Sequence, residues 1–311
     1  MSSIELFFDT FHERQEIWYK RNILKQPMPW TQNVYFQEHK FTNAYRELDR
    51  NSQYLIKTTL SNDSLTIDDI VLRILLFRIY NKIEFFELID FDKITFEEFD
   101  LKRFQKQVSY LEQEEKFQTA NTHSYLVNTW LCKGLPAGMA YAERIVPSII
   151  DNVNRISFYS KICTYKDIKK LILSLKEING IGNFISYEYF LDLCYLNKYN
   201  KQIKVYFDED SYLNVGPGAI QGLTYLAGGK YDKKEEQNLC WLLLSNSRKY
   251  LEDKGFKFVK WNMNKRKYEL CDFNLTIHNI EFWLCEFSKY MKLVEGRRRK
   301  NTKFIPHADE K

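Results

Sequence analysis

The chain has 311 residues, 44% hydrophobic and 28% charged, with only 11 Gly and 6 Pro. That balance supports one large core or two packed lobes and excludes a disordered or low-complexity chain. The formal net charge of +5, from 46 basic and 41 acidic residues, is too mild to establish a polyanionic partner, so the placement of charge matters more than its sum.

Residues 4–24 set Ile4, Phe7, Phe8, Phe11, Ile17 and Trp18 among charges at helical spacing, and Pro27 and Pro29 end that helix. Helices are predicted over 33–50 and 51–60. Thr66 offers an N-cap with Asp68 and Asp69 in the first turn, and the apolar run 70–82 behind it belongs at the centre of a core. A charged amphipathic helix is predicted over 97–119. Leu135, Pro136 and Gly138 mark a break before helices near 140–152 and 165–178. Two β-like pieces follow at 256–261 and 266–272, the first alternating apolar and basic residues. A last helix over 276–293 runs into the basic stretch 296–300. The fold class expected is mainly α with minor β elements.

Aromatic residues reach 16%, with 21 Tyr and 23 Phe; most serve packing, and spare rings would suit base stacking. The six cysteines form no CxxC pair, and His12, His39, His123, His278 and His307 show no ligand spacing, so no metal and no cofactor is expected. Scattered cysteines suit a reducing compartment. The first residues lack the features of a signal peptide, and no apolar run is long enough to span a bilayer. A cytoplasmic monomer without membrane attachment is expected.

Residues 168–195 carry the sharpest local signal. Ile168, Leu171, Ile172, Leu175 and Ile178 form one helical face, Asn179-Gly180-Ile181-Gly182-Asn183 interrupts it, and Phe184, Ile185, Phe190, Leu191 and Cys194 resume helical spacing. Helix, Gly-x-Gly hairpin, helix lets the backbone approach a ligand and aims unpaired N–H groups of the second helix at it. Gly180, Gly182 and Asn183 are therefore candidate contacts to a DNA phosphate. The acidic turn Asp208-Glu209-Asp210 lies 28 to 30 residues after Gly180. In helix-hairpin-helix glycosylases an aspartate placed after the hairpin stabilises the sugar cation formed as an N-glycosidic bond breaks, which makes Asp208 and Asp210 the catalytic candidates. The alternative is a solvated acidic turn. Phe184 stands where bifunctional members carry the Schiff-base lysine, so no lyase of that type is expected.

Three further segments carry a resemblance. They are Glu13-Arg14 through Arg21 with Pro29-Trp30-Thr31, Lys40 through Arg46 and Asp49-Arg50; Val215 through Ala219 with Gly222-Leu223; and Leu284 through Tyr290. In this order, from about residue 10 to 304, they resemble the α-glutamyl/putrescinyl thymine pyrophosphorylases and the helical domain of 5-hydroxymethyluracil DNA kinases. That group is similar to a branch of the helix-hairpin-helix DNA glycosylase superfamily tied to hypermodified pyrimidines of phage DNA, including phage-defence glycosylases.

The resemblance implies phosphate contacts by Arg14, Arg21, Arg46 and Arg50, a base pocket with Trp30, Asn43 and Tyr45, and a backbone anion turn at Gly216 and Gly218. Glu286, Lys289 and Tyr290 share one helix face and would reach the same pocket. No GxxxxGK[ST] run is present, so no fused kinase half is expected. One glycosylase-like unit over 1–311 is expected, or two packed helical lobes with a DNA cleft between them. The function expected is a monofunctional DNA N-glycosylase that flips and excises a 5-substituted pyrimidine from phage duplex DNA. A transferase replacing pyrophosphate on a 5-pyrophosphorylmethyl-pyrimidine with an amine, and a non-catalytic reader of modified DNA, are the alternatives.

Overall fold

The computed structural model describes residues 3–121 and 132–297. The basic run beyond Arg297, with His123 and His307, lies outside them. The described residues are mainly helical with one two-stranded sheet. They divide into two compact units: one from residues 1–49 and 213–311, the other continuous over 50–212. No helix among the described residues is long and apolar enough to cross a membrane.

The first unit opens with α1 (Ser3–Asn22) and α2 (Val34–Glu38). The helix expected over 33–50 is therefore only one short turn. Asn33 caps it through its side chain and His39 leaves it in extended conformation. The chain beyond bends through a single 3-10 turn at Arg46–Leu48. The reason is long-range: backbone amides that would propagate a helix are taken by carboxylates, as described below.

The second unit runs through α3 (Arg50–Leu55), a π-helical turn at Ile56–Leu60, α4 (Ile67–Tyr80), α5 (Ile83–Leu88), α6 (Leu101–Gln113), α7 (Ala137–Arg144), α8 (Val146–Ile162), α9 (Ile168–Lys176) and α10 (Asn183–Tyr199). Thr66 and Asp69 form the reciprocal cap that starts α4: the Asp69 N–H donates to Thr66 Oγ1 at 3.2 Å and the Thr66 N–H to Asp69 Oδ2 at 2.8 Å. Every residue from Asp69 to Tyr80 is buried, including Arg73 and Arg78. All three guanidinium nitrogens of Arg73 donate, to the carbonyls of Ile94 (2.6 Å), Thr58 (2.9 Å) and Asp92 (2.8 Å). Arg78 forks onto Asp192 of α10 and reaches Glu188 at 3.3 Å. Rings of Phe77, Tyr80, Phe85, Phe86, Phe91 and Phe104 pack edge and face around α4, so much of the aromatic surplus is consumed in the core. The helix expected over 97–119 is shorter, capped by Asp100. The one expected over 140–152 is two helices, α7 and α8, parted at Ile145, with Pro147 in the first turn of α8.

The chain then returns to the first unit with α11 (Pro217–Ala227), α12 (Lys233–Glu252), the antiparallel pair β1 (Val259–Asn262) and β2 (Lys267–Leu270), and α13 (Ile277–Val294). Helix α13 packs along α11 and also touches α1, α2 and α12. Phe7, Phe11, Phe36, Trp283, Phe287 and Tyr290 fill that centre with ring contacts.

Candidate functional site

In the first unit, α13 sets Glu286, Lys289 and Tyr290 at i, i+3 and i+4, and all three grip the N-terminal segment. Glu286 Oε2 accepts from the Thr42 N–H at 3.1 Å and from Lys289 Nζ at 3.2 Å. Lys289 also donates to the Lys40 carbonyl and stands 4.6 Å over the Phe41 ring. The Tyr290 hydroxyl accepts from Asn33 Nδ2 at 3.1 Å, and the same amide reaches Glu13 of α1 at 3.2 Å. Thr31 donates its hydroxyl to Glu13 and accepts from the Asn33 N–H at 3.0 Å. Charge-assisted bonds thus stitch α1, residues 31–43 and α13 together.

The next amide follows the same rule. The Asn43 N–H donates to Asp49 Oδ1 at 2.8 Å, and the Asn43 side chain donates to the Leu48 carbonyl at 2.8 Å. Tyr45 is 2% exposed and donates to Asn274 Oδ1 at 2.7 Å, so its ring lies in the core, and burial pushes its phenol well above the ordinary value. Buried Arg46 lies 4.4 Å over the Phe282 ring, and Arg14 donates to the Phe41 carbonyl at 3.4 Å. Burial raises the Asp49 carboxyl to about 6, with the Asn43 amide, Arg46 and Arg14 pulling it back and Glu286 adding to the rise.

A folded pKa above the unfolded one means that the native state holds the proton longer. Asp49 therefore adds stability at low pH that is lost as pH rises from about 4 through about 6. Asp49→Asn keeps an acceptor for the Asn43 amide and removes this titration. Urea melts at pH 4.5 and 7.5 should show the variant gaining roughly 1–3 kcal/mol on wild type between those pH values; parallel pH curves for the two proteins would contradict the assignment.

Beside this network lies a solvent-open cleft walled by Trp30, Phe36 and Phe41 with Arg14, Arg21 and His39. Arg21 stands 5.4 Å over the Trp30 ring, and Trp30 Nε1 donates to the Gln26 carbonyl at 2.7 Å. A half-buried indole with two guanidinium groups beside it can stack a planar base and attract its phosphates. Trp30 and Arg14 thus share one cleft, whereas Asn43 and Tyr45 are not among its lining residues. Arg50 belongs to the other unit, where it pairs with Glu84 at 2.9 Å on the surface.

The Gly-Pro-Gly motif begins α11, and its second glycine, Gly218, is a packing position, as is Gly222 one turn further on. A Cβ on Gly218 would stand 2.3 Å from Cys285 Sγ, and one on Gly222 would stand 2.2 Å from the Leu284 carbonyl oxygen. The Gly216 N–H donates to Glu281 Oε1 at 3.0 Å, so a protein carboxylate holds the amide that the resemblance would give to an anion.

In the second unit, α9 and α10 form the hairpin. Gly180 has φ +81°, a conformation that favours glycine. Gly182 caps α10 in extended conformation without a side-chain cap. Buried Ile178 and Ile181 pin the turn, and Asn179 ties it back through Ser148 Oγ and the Arg144 carbonyl, both at 3.0 Å. Gly182, Asn183 and Phe184 are left exposed.

The acidic turn is locally closed. Asp208 Oδ1 accepts from the Asp210 N–H at 3.1 Å and the Ser211 hydroxyl at 2.8 Å, and the Asp208 N–H donates to Ser211 Oγ at 3.0 Å. Asp208 and Asp210 are exposed, while Glu209 between them is buried and paired with Lys198 at 2.9 Å. Nothing in the sequence assigned a role to Glu209, Asn33 or Glu281. Thr31-x-Asn33 directly after Trp30 was the one local signal for a polar turn.

A family model described as "5-hmdU DNA kinase, helical domain" matches residues 1–299. A 5-hmdU DNA kinase of Bacillus phage SP10 is 25% identical over 303 residues, covering 94% of this chain and 46% of that protein. The chain thus spans about half the length of the curated relative it matches. No solved structure matches. These findings overturn the expectation of a monofunctional N-glycosylase. The relative is named a DNA kinase and the family model is the helical domain of such kinases, and a kinase transfers a phosphoryl group rather than cutting a glycosidic bond. The sugar-cation role assigned to Asp208 and Asp210 falls with that reaction; both stand exposed in a self-capped turn, and the buried carboxylate between them, Glu209, is paired with Lys198.

Proposed function

We propose, from the premise that this chain belongs to the family of 5-hmdU DNA kinase helical domains, that it recognises DNA carrying a 5-hydroxymethyl-type pyrimidine and holds that base for chemistry on its 5-substituent. The observation that carries this reading is the cleft in which the Trp30 indole and the Arg14 and Arg21 guanidinium groups converge. The base stacks on the indole and the arginines take flanking phosphates. The Glu286–Thr42 and Asp49–Asn43 bonds hold the segment behind the cleft in one conformation, so little ordering entropy is lost on binding. Gly182 and Asn183, exposed at the start of α10, would offer their backbone to a phosphate elsewhere on the DNA. The amine-transferase alternative is weakened, because the Gly216 amide that would cradle a leaving pyrophosphate is engaged by Glu281.

Anisotropy titrations with matched duplexes, one containing 5-hydroxymethyluracil and one thymine, test the reading at fixed salt. The modified duplex should bind more tightly, and Trp30→Ala should weaken it roughly tenfold. Equal affinity for both duplexes would remove base recognition from the chain, and an unaffected Trp30→Ala variant would move it away from this cleft.

A further inference from the structure

The first unit carries a charged surface that the reading above does not use. Strands β1 and β2 form a ribbon joined by the turn 263–266. In its register Trp261 opposes Tyr268, with the rings 5.2 Å apart, and Tyr268 meets Trp18 of α1 edge to face at 5.9 Å. That face of the ribbon is spent on packing. Alternation puts Lys260, Asn262, Lys267 and Glu269 on the other face, where both lysines are exposed. Lys265 and Arg266 are exposed in the turn. Asn262 orders that turn: its Oδ1 accepts from the Lys265 N–H at 3.0 Å, and its Nδ2 donates to Glu269 at 2.7 Å. From Lys260 to Tyr268 there are four cations and no acid. The carboxylate of Glu269 on the outward face is taken by Lys265 at 2.8 Å, whereas Lys260, Arg266 and Lys267 form no ion pair among the described residues. Asp253 and Asp272 flank the ribbon at its anchored end, away from the turn.

Edge protection of a short ribbon needs a charge on each strand; it does not call for a further lysine and arginine in the turn. The ribbon's place in the unit points to what the cations meet. Trp18, on which it leans, shares one stripe of α1 with Arg14 and Arg21, about 6 and 4.5 Å away along the helix axis. Both arginines line the Trp30 cleft. A duplex advances about 3.4 Å per base pair, so the ribbon lies within a few base pairs of a base held in that cleft. We propose, resting on the Trp30 reading, that the β1–β2 ribbon is a clamp for the duplex backbone, in which Lys260, Arg266 and Lys267 neutralise phosphates flanking the held base. Contacts of this kind fix position and add affinity without reading sequence. The ribbon thus supplies affinity common to every duplex, and the cleft supplies the discrimination between them.

The test is anisotropy of the full chain with the unmodified thymine duplex over a range of salt. In Lys260→Gln/Arg266→Gln/Lys267→Gln the slope of log affinity against log salt should be shallower than in wild type by about two to three units. Affinity at low salt should fall roughly ten- to a hundredfold, by the same factor for the 5-hydroxymethyluracil duplex, with the melting temperature unchanged. Lys260→Arg/Lys267→Arg, which keeps the charge, should bind like wild type. Lys57→Gln/Lys102→Gln/Lys106→Gln removes as much charge from exposed lysines of the second unit and should keep the wild-type slope. An unchanged slope in the ribbon triple would overturn the proposal. So would an equal change of slope in the second-unit triple, since net charge alone would then account for it, or a loss confined to the modified duplex. Failure of the Trp30 reading appears separately, as equal affinity of the wild type for modified and unmodified duplexes.

Discussion

Replacing Arg78 by Met should destabilise the second unit by about 3–5 kcal/mol. The loss does not come from packing, because the methionine stem follows the arginine stem closely. It comes from Asp192 and Glu188, both 2% exposed or less, left in the core without the guanidinium that both engage. Burial alone would lower the Arg78 pKa; the two carboxylates outweigh it and hold the group charged. The variant has a pH signature. With the cation gone, both carboxyls gain a raised folded pKa, so the native state takes up protons and the deficit shrinks as pH falls toward 5. Urea melts at pH 5 and pH 7.5 read this directly. The triple variant Arg78→Met, Glu188→Gln, Asp192→Leu should recover most of the loss. A single variant as stable as wild type at pH 7.5 would mean that water already compensates the two acids.

Gly222→Ala should destabilise the first unit by on the order of 3 kcal/mol, whereas Gly218→Ala should cost about 1 kcal/mol. The two glycines lie one turn apart on α11 and face α13, yet their neighbours differ in kind. At Gly222 the new methyl meets backbone, with the Leu284 carbonyl oxygen at 2.2 Å and its carbon at 2.8 Å. At Gly218 it meets Cys285 Sγ, a side-chain atom that can rotate away. Relief at Gly222 therefore requires α11 and α13 to part. Because α13 carries Glu286, Lys289 and Tyr290, parting it also loosens the Thr42 and Asn33 bonds beside the cleft. Thermal melts of the two variants should separate them, and duplex binding should fall for Gly222→Ala alone. Equal melting temperatures would mean that the helices are not in close backbone contact.

The helical class, the Thr66 cap, the Gly-x-Gly hairpin and the small antiparallel ribbon were legible because each depends on residues within a turn or two. The segment 33–50 was misread for the opposite reason. Its amides go to Glu286, 244 residues away, and to Asp49, and no local pattern announces a bond of the first kind. Arg73 and Arg78 interrupt the apolar run expected at the centre of a core, and no local pattern names their partners. Both are buried, on carbonyls and on acids 110 and 114 residues further along. The Gly-Pro-Gly motif was visible but its use was not, because a glycine kept for a phosphate and one kept for a neighbouring helix look alike until that helix is placed. Asp208 and Asp210 drew attention as carboxylates; the buried Glu209 between them showed nothing to distinguish it.

The first unit is assembled from the two ends of the described chain, while the second is one uninterrupted stretch. During synthesis the second unit can close on itself early, but residues 31–49 emerge long before the helix that fixes them. Until α13 is made, the Thr42 amide and the Asn33 side chain lack their partners on that helix. The cleft proposed to recognise the base is thereby tied to the synthesis of α13, and a chain terminated before that helix would carry the arginines and the indole without the brace that arranges them.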